Sequence, residues 1–186
     1  MNIDLNILWG FLALGSWGAA DYLARLTATH VGSRSTAFLI LVIGLALPLA
    51  LVISEIAGTS KTIDWIDFLA LGLVVGGLLA AAYTVYYAGL EKGSVSVVSS
   101  MASAWLLVSL LIAIIAFGER LSIGQLIVSL AIVAGIVALS VNGKPGSMGQ
   151  SGYSYGLGSM FLLGAALALF KPLTDIAGPF ISVVAV

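Results

Sequence analysis

The sequence predicts an all-α fold: a polytopic membrane helix bundle with a five-helix repeat, a sixth span and a stub of a seventh. Of its 186 residues 61% are hydrophobic and 8% charged, with a mean hydropathy of +1.18. A soluble domain carries about 25% charged residues. Residues 93–118 and 121–143 contain no Asp, Glu, Lys, Arg or His. Each run can cross a hydrocarbon core of about 30 Å as a helix rising about 1.5 Å per residue, with its backbone satisfied internally. Only Glu119-Arg120 separates the two, which makes them the arms of a membrane hairpin.

The same composition excludes several functions. A net charge of -1 supplies no clustered basic face, so no nucleic-acid partner is expected. With no cysteine and a single histidine, His30, neither a metal nor a cofactor is expected. Ser-His pairing and a Gly-rich phosphate cradle are also missing, which argues against an enzyme. Met1 to Asn6 lacks a basic n-region, so the first apolar segment reads as a retained span.

Helix 1 is expected over Ile7 to Leu26 and a polar loop over Thr27 to Arg34. Helix 2 follows over Ser35 to Ile56, interrupted by Pro48, and Ala57 to Thr62 reads as a turn in which Gly58 ends it. Asp64 and Asp67 suit a helix N-terminus, which places helix 3 from there to Leu90. Its Gly72-x-x-x-Gly76 and Gly77-x-x-x-Ala81 patterns allow close helix packing. Glu91 to Ser94 is a short turn with Gly93 as a left-handed stop, so helices 3 and 4 are antiparallel neighbours.

Helix 4 is expected over Val95 to Ala116 and helix 5 over Ile123 to Val141. Ser122-Ile123-Gly124-Gln125 fits a capping box, in which hydroxyl and side-chain amide each satisfy a free backbone group. Residues 143–155, rich in Gly and Ser, read as a flexible linker, and 156–186 as the incomplete start of a second repeat. Leu163-Gly164 there echoes Leu14-Gly15 of helix 1. Helix 6 is expected to end near Lys171-Pro172, and Phe180 to Val186 is too short to span.

These residues carry a resemblance. Phe117-Gly118-Glu119-Arg120-Leu121, then Gln125-Leu126 and Ala134-Gly135-Ile136-Val137, resemble the end of an EamA-type repeat of the drug/metabolite transporter superfamily. Tyr86 to Leu90, Ser94 to Ser103 and Trp17-Gly18 fit earlier parts of that repeat, over residues 7–141, and residues 1–142 form the repeat-like domain. One departure is Ala104-Trp105-Leu106, which stands where the family often has proline and leaves a helix break there open.

The resemblance implies a multi-pass protein of the cell membrane with a cytoplasmic N-terminus, surrounded by the lipid bilayer. It implies a secondary transporter or exporter of a small-molecule solute that works by alternating access between two five-helix repeats. On that expectation the chain is an incomplete transporter, silent by itself, whose missing second repeat is supplied by another copy or a separate chain if it functions. The alternative is a non-transporting scaffold or subunit, packed shut where a transporter has a cavity between helices 1, 3 and 4. The loop charges do not decide orientation, because Lys61, Arg120 and Lys171 on one side face Arg25, Arg34, Lys92 and Lys144 on the other.

Candidate pathway residues follow from their chemistry. Asp21 is an ionisable group inside a span, able to take a proton or hold a cation, or simply to be neutralised by Arg25 one turn on. Trp17 shares its face. Ser96, Ser100 and Ser103 share a face of helix 4, with Ser99 beside it, and serve either a solute path or helix packing. Tyr83, with Tyr86 and Tyr87, either lines a cavity or anchors at the interface. Trp105 either stacks on a planar solute or fills space, while Gly118 and Glu119 form a structural turn in which Glu119 caps or pairs with a neighbouring loop.

The predicted topology puts positions 59 and 144 on opposite sides of the membrane. Single cysteines there, in a chain with no native cysteine, should react with an impermeant thiol reagent from opposite faces. Labelling of both from one face would contradict the topology.

Overall fold

The computed structural model describes residues 5–45, 48–49, 51–52, 64–142 and 150–186. The regular structure among them is helical: α1 (Leu5–Val31), α2 (Ser33–Gly44), α3 (Trp65–Lys92), α4 (Val95–Ser103), α5 (Trp105–Phe117), α6 (Ile123–Asn142), α7 (Gln150–Ala177) and α8 (Pro179–Ala185). Trp65–Lys92, Val95–Phe117 and Gly152–Ala177 are each long and apolar enough to cross a membrane. α1 has the length, but Asn6, Asp21 and Arg25 dilute its apolar character.

Local chemistry sets several ends as expected. Asp64 caps α3, its Oδ1 accepting from the backbone of Ile66 at 3.1 Å and Asp67 at 3.4 Å. The capping box before α6 is formed, with Ser122 N–H donating to Gln125 Oε1 at 2.8 Å and Gln125 N–H to Ser122 Oγ at 3.2 Å. Gly118 closes α5 in the left-handed conformation, φ 66°, a backbone state that glycine adopts without steric cost.

Other ends differ from expectation. α1 runs through the predicted loop to Val31, because Thr27 and Thr29 donate to the carbonyls of Leu23 and Leu26, and His30 Nδ1 lies 2.7 Å from Leu26 O. Polar side chains that bond back to their own helix need no loop. The reversal is left to Gly32, φ 86°. Gly93 is extended rather than left-handed, φ -124°. Its lack of a side chain serves packing instead, since an added Cβ would lie 3.1 Å from Gly152 Cα.

Helix 4 of the sequence reading divides at Ala104 into α4 and α5, although no proline stands there. Ala104 N–H donates to Met101 O at 3.1 Å, one residue short of the α-helical spacing. α7 begins at Gln150, inside the expected linker, and continues through Pro172 to Ala177, which neighbouring helices in a bundle tolerate. The expected turn over Ala57 to Thr62, with Gly58, lies outside the described residues.

α7, read from sequence as the start of a second repeat, packs against α3, α4 and α5 at the centre of the bundle. Gly152 meets Gly93, Gly156 meets Met101, Gly158 meets Val85 and Gly164 meets Val108 and the carbonyl of Trp105. α7 therefore runs antiparallel to α3 and alongside α4 and α5. Lipid supplies no hydrophobic force between helices, so close backbone approach at small residues is what gains packing energy.

Contacts at the ends set α2 and α7 antiparallel to α3. Ser33 N–H donates to Glu91 Oε2 at 3.1 Å, and Lys92 Nζ donates to Tyr155 OH at 3.2 Å, which gathers the starts of α2 and α7 with the end of α3. At the opposite end Lys171 lies 3.7 Å from both Glu119 and Asp175. There α8 turns back at Gly178 and sets Ile181 and Val186 against a core of Phe68, Leu173 and Ala177.

The packing makes opposite forecasts for two glycines. A Cβ at Gly164 would sit 2.8 Å from Trp105 O, whereas one at Gly15 meets nothing within 4 Å. Gly164→Ala should cost about 1–3 kcal/mol, and Gly15→Ala should be neutral or gain up to about 1 kcal/mol. Thermal unfolding of the detergent-solubilised variants checks this; equal melting temperatures would contradict the close approach of α7.

Candidate functional site

A cavity of about 620 Å³ lies between α1 and α3, with Ile40 of α2 at one edge. α1 supplies Ser16, Trp17 and Asp21, which recur at helical spacing on one face. α3 supplies Tyr83, Tyr86 and Tyr87. The rings of Tyr83 and Tyr87 stack with centroids 5.9 Å apart and planes 18° apart, and Tyr86 tilts against Tyr87 at 5.4 Å. Trp17 is 59% exposed, so the cavity is open along α1.

Asp21 is held by a chain of hydroxyls from two other helices. Ser99 Oγ of α4 donates to Asp21 Oδ2, and Tyr86 OH of α3 lies 2.5 Å from Ser99 Oγ. A serine hydroxyl has one hydrogen. Ser99 gives its hydrogen to the carboxylate, so Tyr86 donates to Ser99 and the whole chain points toward Asp21. The Tyr86 and Tyr87 rings are seated in a core that contains Ala24, Ala37, Leu90 and Val98. That seat fixes the phenol of Tyr86 in reach of Ser99.

The structure brings together Trp17, Asp21 and Tyr83 of the sequence-predicted residues. It places the others elsewhere. Ser96 and Ser103 are exposed, Ser100 Oγ donates to Ser96 O at 2.6 Å and Ser103 Oγ to Ser99 O at 2.8 Å. Those hydroxyls are satisfied on their own helix and line no part of this cavity. Trp105 lines a separate groove of about 350 Å³ between α5 and α7, with Phe117 and Lys171. Arg25 is exposed and makes no ion pair with Asp21, which takes Ser99 as its partner.

Glu119 pairs with Lys171 of α7 rather than with a loop, and Lys171 lies 5.9 Å from the Phe117 ring centroid. Both charged side chains are about half exposed, so this pair contributes little energy. Tyr83 and Ile40 also border a second, apolar groove of about 660 Å³ that continues toward Val183 and Val186.

The sequence reading named Tyr86 and Ser99 only beside other candidates, not as the pair that reaches Asp21. Their signal was symmetry about the tight turn: in an antiparallel helical hairpin, positions equally far from the turn face each other. Residues 86 and 99 are such a pair around Lys92-Gly93.

Comparison with known proteins gives one finding on family. The model of the EamA-like transporter family matches residues 4–141. No curated protein matches the chain, and no solved structure matches it.

Removing the Ser99 hydroxyl would leave Asp21 Oδ2 and Tyr86 OH without this partner. Ser99→Ala should therefore cost about 1 kcal/mol or more, while Ser100→Ala should stay within about 0.5 kcal/mol. Thermal unfolding in detergent compares them; a Ser100→Ala loss as large as that of Ser99→Ala would contradict the hydroxyl chain.

Proposed function

The chain belongs to the EamA-like transporter family, and from that premise we propose that it is a secondary transporter of small metabolites whose solute path runs through the Asp21 cavity. The observation that carries this reading is a half-buried carboxylate facing an open, aromatic-walled space between α1 and α3. An ionisable side chain in a span is costly, and such residues border solute or ion paths. A volume of about 620 Å³ is that of a small-molecule site.

The family membership and the apolar helices make this a multi-pass membrane transporter of the drug/metabolite type. Its cell-membrane location and its alternating-access cycle are part of the proposal. The exposed edge at Trp17 supports a further partner surface along α1. A second five-helix unit, from another copy or a separate chain, is the partner that the two-repeat mechanism calls for. The scaffold reading expects this space to be closed, and the cavity weighs against it.

The test is water access. Ser16→Cys lies in the cavity and Leu130→Cys on the exposed apolar surface of α6. In membranes, an impermeant thiol reagent should label position 16 and leave position 130 unreacted, and transported solutes should slow the labelling. Equal, slow labelling at both positions would favour the scaffold.

A further inference from the structure

We propose that the solute bound in the Asp21 cavity is an organic cation, an amine or quaternary ammonium attached to a compact apolar body. This rests on the reading of that cavity as the solute path. The chemistry of the walls points one way. The charged residue lining the cavity is Asp21, and its lining includes no Lys or Arg. One of its phenols is turned to the carboxylate: Tyr86 donates to Ser99, which donates to Asp21. Thr27 Oγ1 donates to Leu23 O.

An anionic solute would thus meet a carboxylate at close range with no compensating cation. A polyhydroxylated neutral solute would lose its water against a mainly Ala, Leu and ring-face surface and leave the carboxylate without a counter-charge. Hard inorganic cations need several oxygen ligands, and ring faces are poor substitutes for them. An organic cation gains from both features. Ring faces of Trp17, Tyr83 and Tyr87 attract a weakly hydrated positive group, and Asp21 supplies the opposite charge beside them. Ser99 donates to Oδ2 of Asp21 and leaves the carboxylate its full negative charge toward the cavity.

Arg25 is one helical turn from Asp21, yet it is exposed and outside the cavity lining, so it neither neutralises the carboxylate by an ion pair nor presents a cation to the solute. A zwitterion would therefore have its ammonium accepted and its carboxylate left without a counter-charge in the lining. The expected order of preference is cation first, then neutral, then zwitterion and anion.

The experiment uses three probes of one shape. Benzyltrimethylammonium is the cation, neopentylbenzene its neutral isostere, and N,N,N-trimethylphenylglycine its zwitterionic relative. Binding to the full chain in lipid nanodiscs is followed by fluorescence, with probe uptake by empty nanodiscs subtracted. The cation should bind saturably and at least about tenfold more tightly than the other two, a difference of about 1.4 kcal/mol. Asp21→Asn should abolish that preference. Tyr83→Phe should retain cation binding and Tyr83→Leu should weaken it about threefold or more, which separates ring from hydroxyl should the Asp21 variant fail to fold. Tighter binding of the neutral or zwitterionic probe, still weakened by Tyr83→Leu, would overturn the cation class and leave the cavity as the solute site. Absence of saturable binding by any probe, or binding unaffected by Tyr83→Leu, would overturn the site along with the class.

Discussion

The interaction on which the arrangement depends is the hydroxyl chain from Tyr86 through Ser99 to Asp21. A carboxylate within a span needs a partner, because hydrocarbon offers none. Here the partners come from α3 and α4, so the charge on α1 is stabilised only when the α3–α4 hairpin is in the right register. Residues 86 and 99 meet because the turn between them is short and because Gly93 allows Gly152 of α7 to press against it. Polar chemistry at one helix thus rests on glycine packing at another.

Two kinds of contact divide the bundle. α3, α4, α5 and α7 are joined through small residues, at Gly89 against Val98 and Tyr155, Gly156 against Met101, and Gly164 against Val108. These are contacts of backbone against side chain, which cannot lengthen without loss of most of their attraction. α1 is joined differently: its glycines Gly10, Gly15 and Gly18 would meet nothing within 4 Å of an added Cβ. Small residues such as Ala24 and Ala28 bury there, Asp21 reaches Ser99, and the side that carries Ser16 and Trp17 borders the cavity. The proposed solute path lies on this more loosely joined side, and the glycine-packed helices form its other wall. The break at Ala104 fits the same division, since it lies beside the closest approach of α7, where Ser109 Oγ donates to Gly164 O at 2.8 Å.

What the sequence disclosed were features set by near neighbours. The Asp64 cap, the Ser122–Gln125 box and the Gly118 turn each depend on a few adjacent residues, and each formed as read. The ends of α1 and α7 were illegible for the opposite reason. Thr27 and His30 look like loop residues until the helix carbonyls they bond are known, and the Gly-Ser composition around Gly152 has the look of a linker until its partner Gly93 is in view. In the site, helical spacing joined Trp17 to Asp21 on one face, but spacing alone does not say which face meets a cavity. The serine stripe of α4 is real, yet Ser100 and Ser103 turn to their own carbonyls, and Ser99 beside them is the one that crosses to α1.

The most direct test is a double-mutant cycle between α1 and α4. Asp21→Asn, Ser99→Ala and the pair together should be compared by unfolding in detergent. Coupling of about 1 kcal/mol or more, with the double variant losing less than the two single losses combined, is the result that a direct hydrogen bond predicts. Strict additivity would contradict the account, since it would mean that Asp21 is held by something other than Ser99.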